Sequence, residues 1–143
     1  MLNEKLTLTG ALTISVNGEV VRDIKNLVVT TGKELVAANL QGGSVTPVTH
    51  MAVGTGSTAA DAGDTGLETE IDRNALETSG GTVTSNVVSY SAVWAPGDGT
   101  GALTEAGLFT AASGGTMLAR TVFLPVNKGV DDTVTIAWDV TIS

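Results

Sequence analysis

Two segments of the chain alternate apolar and polar side chains with a period of two residues. In residues 133–142 the alternation is clearest: its apolar positions are Val134, Ile136, Trp138, Val140 and Ile142, and only Ala137 among the positions between them is not polar. Residues 6–16 alternate in the same way, except that Gly10 occupies one apolar position. A period of two is typical of a β-strand with one buried face. Both segments therefore predict strands, with a bulge or bend at Gly10.

A strong turn signal follows the first of these strands. Asn17-Gly18 predicts a two-residue β-hairpin turn, which needs positive φ at both positions. The partner strand is expected over residues 19–29, where Asp23 and Lys25 make the alternation less regular. The segment from residue 6 to residue 29 is thus predicted to form a hairpin.

One helix is expected, over residues 32–41. Thr31 and Glu34 have the spacing of a capping box, in which the threonine hydroxyl and the glutamate carboxylate bind backbone N–H groups of the first turn. Gly42-Gly43 is expected to end the helix, because glycine readily adopts the left-handed conformation of a C-cap.

Residues 103–124 predict a second hairpin. Its strands are expected over residues 103–110 and 116–124, joined by a glycine turn at residues 111–115. Pro125 is expected to end the return strand, because proline cannot donate a hydrogen bond to a neighbouring strand.

Three further regions complete the prediction of secondary structure. Residues 50–54 and 83–94 are each expected to form one strand, the second being the longest run rich in β-formers. Residues 67–76 predict an edge strand, with a short helix as the alternative. Residues 55–66 are small and polar and predict a flexible loop.

The composition suits an all-β fold. The chain has 143 residues, so a single domain over residues 1–143 is expected. With 42% hydrophobic but only 3% aromatic residues, small and β-branched side chains must fill the core, and 18 glycines provide for many turns. The fold class predicted is a jelly-roll-like β-sandwich of about eight strands with one short α-helix.

Charge and residue usage exclude several classes of function. The net charge of −8 disfavours nucleic-acid partners, because an acidic surface repels phosphates. The chain has no cysteine, so neither disulfides nor thiolate metal sites are expected. The N-terminal segment lacks the basic and apolar regions of a signal peptide. No run of 18 apolar residues is present, so no membrane span or membrane partner is expected.

Residues that could carry chemistry do not form a recognisable set. His50 is the single histidine, and no nucleophile or carboxylate can be placed beside it, so a strand histidine at a surface or interface is favoured. Asp61 and Asp64 could bind calcium, but their spacing does not match an EF-hand and a solvated loop is favoured. Gly54 and Gly56 are not followed by the Gly-Lys-Ser/Thr of a phosphate-binding loop.

Other candidates have simpler structural explanations. Glu68, Glu70 and Asp72 could provide a carboxylate pair for glycoside hydrolysis, but the wet face of an edge strand explains their alternation. Trp94 and Trp138 could form a sugar platform, but both occupy apolar positions and are expected in the core. No catalytic, cofactor-binding or metal-binding residue is assigned, and no cofactor is expected.

Arg120 is the residue that the sequence singles out. A charged side chain in the middle of a strand usually pairs with a carboxylate or reaches a partner protein. Glu105 on the neighbouring predicted strand is the expected partner, in a pair that contributes up to ~1 kcal/mol if it is exposed.

Several of these residues also carry a resemblance. Glu105-Ala106-Gly107-Leu108-Phe109, followed by Gly114-Gly115 and Ala119-Arg120 and then by Pro125 and Lys128, resembles a hairpin motif of tailed-bacteriophage virion proteins. The upstream block of residues 51–56, with Leu67, Glu70 and Arg73, fits the same pattern. The resemblance spans roughly residues 49–143. It implies a structural protein of the virion, and small jelly-roll capsid cement proteins are similar in length and composition.

The function expected is therefore non-enzymatic. The first hypothesis is a capsid cement (decoration) protein on the outside of the virion, a homo-oligomer that bridges and stabilises subunits of the major capsid protein. The alternative is a tail-collar, baseplate or fibre-attachment protein that binds other tail proteins. A carbohydrate-binding or hydrolytic β-sandwich is a third hypothesis, against which the few aromatic residues and the missing catalytic set argue.

Overall fold

The computed structural model describes residues 5–143, which form nine antiparallel strands and one helix. The elements are β1 (Leu8–Val16), β2 (Glu19–Val28), α1 (Thr30–Gln41), β3 (His50–Gly54), β4 (Glu70–Ala75), β5 (Thr82–Thr84), β6 (Val87–Trp94), β7 (Gly101–Phe109), β8 (Met117–Lys128) and β9 (Val134–Ile142). The strand order is β4-β3-β7-β8-β2-β1-β9-β6-β5. The predicted all-β, sandwich-like fold with one short helix is confirmed, with nine strands instead of about eight.

Five of the nine strands form what we call the open sheet, in the order β2-β1-β9-β6-β5. The register of β1 on β9 runs without a shift from Leu8 opposite Ile142 to Val16 opposite Val134. Burial along β9 follows the sequence alternation, because Ile136 and Trp138 are buried while Ala137 between them is exposed. One face of this sheet therefore lies in the core and the other faces solvent, as the period of two predicts.

The remaining strands form what we call the covered sheet, in the order β4-β3-β7-β8. It joins the open sheet through the end of β2, where Leu27 pairs with Arg120 and Val28 with Ala119. The core lies between the two sheets, and its largest buried apolar side chains include Leu12, Ile14, Met51, Trp94, Leu103, Leu108, Ile136 and Trp138. Both tryptophans are fully buried, which confirms their place in the core and removes them as a sugar platform.

The first hairpin turns as predicted. Asn17 and Gly18 have φ of 52° and 86°, the positive values that the two-residue turn requires. The prediction of a bulge at Gly10 is wrong, because Gly10 pairs regularly and the irregularity lies between Ile14 and Ser15. Gly10 instead leaves room for the side chain of Asn26, which a β-carbon would overlap.

The helix ends as predicted but starts differently. Gly42 forms the C-cap in the left-handed conformation, with φ 78°. The predicted capping box is wrong, because the N-cap is Val29 and no side chain caps the first turn. The hydroxyl of Thr31 donates instead to the carbonyl of Met117, at 3.0 Å, and so ties the helix to β8.

Two strand boundaries also differ from the prediction. Residues 83–94 do not form one strand, because Ser85 adopts φ 55° in a turn between β5 and β6. Pro125 does not end β8, which continues to Lys128 through an irregularity opposite Thr104. The side chain of Arg22 donates to the carbonyls of Leu124 and Pro125, at 3.1 and 2.8 Å, and so satisfies acceptors at this irregularity.

Residues 67–76 contain β4, which lies at one edge of the sheet order and confirms the predicted edge strand. The side-chain amide of Asn74 donates to the carbonyl of Val93 at 2.9 Å, and the backbone N–H of Glu77 donates to Ser91. These bonds bring the β4 edge against β6. Within residues 5–143, no helix has the length and apolar character needed to cross a bilayer.

Candidate functional site: a buried ionic network on the covered sheet

The outer face of the covered sheet lies beneath residues 55–69, which we call the strap. One row of residues crosses this face in register, from Arg73 on β4 through Ala52 on β3 and Gly107 on β7 to Arg120 on β8. Two arginines thus flank two small residues. The strap side chain Leu67 lies over the small residues, close enough that a β-carbon at Gly107 would stand 3.0 Å from it.

Glu105 is the centre of the network. Its side chain is completely buried on the outer face of β7. Three strap backbone N–H groups donate to its carboxylate, from Gly56 at 2.7 Å, Glu68 at 2.8 Å and Thr69 at 2.7 Å. Arg120 donates two more hydrogen bonds, from Nε at 3.2 Å and Nη2 at 3.0 Å. Both oxygens of the carboxylate are therefore fully engaged.

Arg120 connects the same carboxylate to the middle of the strap. Its Nη1 donates to Asp64 at 2.8 Å, and its Nη2 donates to the carbonyl of Thr58 at 2.9 Å. The predicted pair with Glu105 is confirmed, but it is not exposed, because the Arg120 side chain is only 2% accessible. A buried pair loses hydration on folding, so removing one partner costs far more than it does at a surface.

The glycines of the upstream block make room for this carboxylate. A β-carbon at Gly54 would stand 2.3 Å from the carbonyl oxygen of Thr69, and one at Gly56 would stand 2.4 Å from Oε2 of Glu105. Only glycine lets the strap backbone approach so closely. The Gly-x-Gly sequence therefore binds a carboxylate of the protein itself.

Arg73 holds the other end of the row. Its guanidinium lies 3.7 Å from the centre of the Phe109 ring and pairs with Glu70 at 2.7 Å. Its Nη1 also donates to the carbonyls of Ala111 and Gly114, in the turn between β7 and β8. Arg73 thus fixes the position of that turn on the sheet.

Hydrogen bonds within the strap also affect ionisation. The pKa of Glu68 is held below its usual value of 4.5, first by the hydroxyl of Thr58 and further by backbone N–H groups and the charge of Arg120. Its carboxylate lies 3.4 Å from the backbone nitrogen of Ser57. The charged form of Glu68 is therefore favoured by contacts that join the two ends of the strap.

The remaining candidates do not converge on the network. His50 lies in β3, and its Nδ1 is 2.8 Å from the hydroxyl of Thr49, its neighbour in the chain. Asp61 accepts from the N–H of Gly63 at 2.8 Å. Asp64 binds Arg120 and the N–H of Asp61 through Oδ2, so this oxygen faces a cation of the protein itself. No group of three or more His, Asp or Glu side chains arranged to hold a metal is found within residues 5–143.

Chemically, the network is suited to holding backbone in place. Each Glu105 oxygen accepts hydrogen bonds from the strap backbone or from Arg120, and the side chains of Glu105 and Arg120 are both buried. The sequence missed Thr58, Asp64 and the two glycines as members. The sequence feature that could have indicated them is the pair Gly54-x-Gly56, together with a glutamate, Glu105, in the middle of a later β-rich strand.

Comparisons with models of protein families, with curated proteins and with solved structures gave no match.

Proposed function

We propose that the protein is a non-enzymatic structural protein of a tailed-bacteriophage virion, acting as a capsid cement protein on the outside of the shell. The observation that carries the proposal is the use of the motif residues. The motif residues make internal contacts that fix the outer face of the covered sheet; they are Gly54, Gly56, Arg73, Glu105 and Arg120. A motif whose residues stabilise the fold supports a structural role over a catalytic one.

The distribution of charge supports a place outside the shell. Three of the seven cations are held by the fold itself, because Arg73 and Arg120 are in ion pairs and Lys128 is buried. Among residues 5–143, Glu105 is the one buried acid, so the acid excess behind the net charge of −8 falls on the surface. Such a surface meets repulsion at every phosphate of packaged DNA but none on the outside of a shell.

The mechanism proposed is mechanical. Each copy, alone or as a homo-oligomer, would bridge neighbouring subunits of the major capsid protein. Many copies on a closed shell add up to a large stabilisation through multivalency, even where a single contact is weak. Because the contact is partly electrostatic, it should weaken as salt screens the charges.

The test follows this chain when purified particles that contain it are washed at increasing salt. The proposal expects it to leave before the major capsid protein, at a copy number in the hundreds, and the stripped heads to burst at a lower temperature. Adding back the purified protein should restore the bursting temperature, while an unrelated protein of similar charge should not.

The same experiment distinguishes the cement protein from the alternative, a protein of the phage tail. A tail-collar, baseplate or fibre-attachment protein would co-purify with detached tails in a few to a few dozen copies, and intact heads would lack it. That result would overturn the cement proposal and support the tail assignment, which the same motif also favours.

A further inference from the structure

We propose that the strap, residues 55–69, opens as a unit while both sheets stay folded, and that Glu105 is the latch that keeps it closed. This inference concerns the motion of the molecule and does not depend on the proposed function. It follows from how the strap is attached, from what lies beneath it and from where its ends are held.

The strap is attached by polar contacts. Of its 15 residues only Gly56 is buried, and Leu67 is its single large apolar side chain. Glu105 accepts three of its N–H groups, and Arg120 binds one of its carbonyls and one of its carboxylates. Two side chains of the sheet thus make five of the contacts that hold it. The hydroxyl of Thr104 donates to the carbonyl of Gly56 and the N–H of Thr30 donates to that of Ala62, so Glu105, with three contacts, is the largest single attachment.

The apolar cluster beneath the strap is separate from the main core. Its members are Val29, Ala52, Phe109 and Met117, with Leu67 from the strap packed against them. The main core lies on the opposite face of the covered sheet. Opening the strap therefore exposes this small cluster but removes no side chain from the main core. Local opening costs less than global unfolding under such conditions.

The ends of the strap are held by strand pairing as well as by Glu105. Gly54 and Glu70, the residues that flank it, are paired neighbours on β3 and β4. The backbone N–H of Thr55 also donates to the carbonyl of Thr69 at 2.9 Å. The strap is therefore a loop closed at its base, and it can lift away without unpairing either strand.

Residue-resolved hydrogen exchange of the intact protein tests the inference. Glu105→Gln keeps the shape of the side chain but removes its charge, and Glu70→Gln on the same sheet is the matched control. In Glu105→Gln, exchange at Gly56, Glu68 and Thr69 should accelerate at least about tenfold, the ratio expected when charge-assisted hydrogen bonds are weakened. Amides of β1 and β9 should be unchanged, and Glu70→Gln should leave the strap amides as they are.

The opposite pattern would overturn the proposal. If strap amides and β9 amides accelerate together, the strap belongs to the global unfolding unit; if the strap amides do not accelerate, Glu105 is not the latch. Should Glu105→Gln fail to fold, Asp64→Asn weakens the strap contact to Arg120 and leaves Glu105 intact. It should accelerate exchange at Gly56 and Thr69, whose N–H groups bind the unchanged Glu105, without affecting β9.

Discussion

The open sheet and the covered sheet differ in what lies on their outer faces. In β9 of the open sheet, buried Trp138 stands between exposed Ala137 and exposed Asp139. In β7 of the covered sheet, all five residues from Glu105 to Phe109 are buried. Water satisfies the outer face of the first sheet, whereas a segment of the same chain covers the second.

A polar loop that covers a sheet needs acceptors for its backbone N–H groups. The loop brings backbone N–H groups into a place where water no longer reaches them, and each must find an acceptor. Glu105 supplies that acceptor three times, Arg120 compensates its charge, and glycines let the loop approach. The covered sheet should therefore depend on a few residues, and the outer face of the open sheet on none.

The largest effect is expected from Glu105→Ala. The change leaves Arg120 buried without its main partner and three N–H groups without an acceptor, so the free energy of unfolding should fall by about 3–5 kcal/mol. Asp139→Ala, on the wet face of the open sheet, should change it by no more than about 0.5 kcal/mol. The urea midpoints of the two variants measure this difference in stability. Equal midpoints would show that the two sheets do not differ in their dependence on outer-face residues.

The second largest effect on stability is expected at Gly54, where the backbone of β3 lies close to that of the strap. Gly54→Ala places a β-carbon against the carbonyl oxygen of Thr69 and should destabilise by roughly 1–3 kcal/mol, as overpacking does. The control is Gly66→Ala in the strap, where a β-carbon would meet nothing within 4 Å. Thermal unfolding should place the control at or slightly above the parent protein. A control as unstable as Gly54→Ala would refute the steric reason.

In the open sheet, we expect substitutions in the turn between β1 and β2 to destabilise the protein more than substitutions on the outer face. Gly18 has φ 86° with open space around it, so Gly18→Val costs only backbone strain, roughly 1–2 kcal/mol. Gly18→Asn should cost much less, because asparagine tolerates the left-handed region. Denaturant midpoints compare the two, and if valine and asparagine behave alike the strain explanation fails.

The smallest effect concerns an exposed turn beside the same hairpin. The side-chain amide of Asn17 and the N–H of Gly129 donate to Asp132, and they hold its pKa below the usual value of 3.8. A lowered carboxyl pKa stabilises the fold above the unfolded value, and this contribution is lost as the pH falls through the folded pKa. The gap in urea midpoint between the parent and Asp132→Ala should therefore be present at neutral pH and close below pH 3.8. A gap independent of pH would contradict this.

The two sheets also differ in how well their strands could be predicted from the sequence. Alternation predicts a strand correctly when one face is wet, as in β1 and β9, because each side chain then reports which face it occupies. The face shared by Tyr90, Ala92 and Trp94 in β6 follows in the same way. The pair of Arg120 with Glu105 was also predictable, since two unlike charges stood on neighbouring strands.

The rest depended on contacts that no local pattern encodes. Residues 55–66 are small and polar, and this composition is the same for a loop in solvent and for a loop that covers a sheet. The carboxylate that accepts from the N–H of Gly56 belongs to Glu105, 49 residues away in the chain. Thr31 has the spacing of a cap, but its hydroxyl is drawn to Met117 by tertiary packing. Pro125 continues its strand because Arg22, more than 100 residues distant, binds the carbonyls at the irregularity.

The register of β1 on β9 has a mechanical consequence. Leu8 and Ile142 are opposite each other at one end of the pair, and Thr7 and Ser143 exchange backbone hydrogen bonds just beyond them. A force that separated these two residues would load the bonds one after another, as in a zipper, because ladder bonds lie perpendicular to antiparallel strands. A force that pulled the two strands past each other along their axes would instead load all the bonds of the pair at once. The β1–β9 pair should therefore resist shear along its strands much better than separation of Thr7 from Ser143.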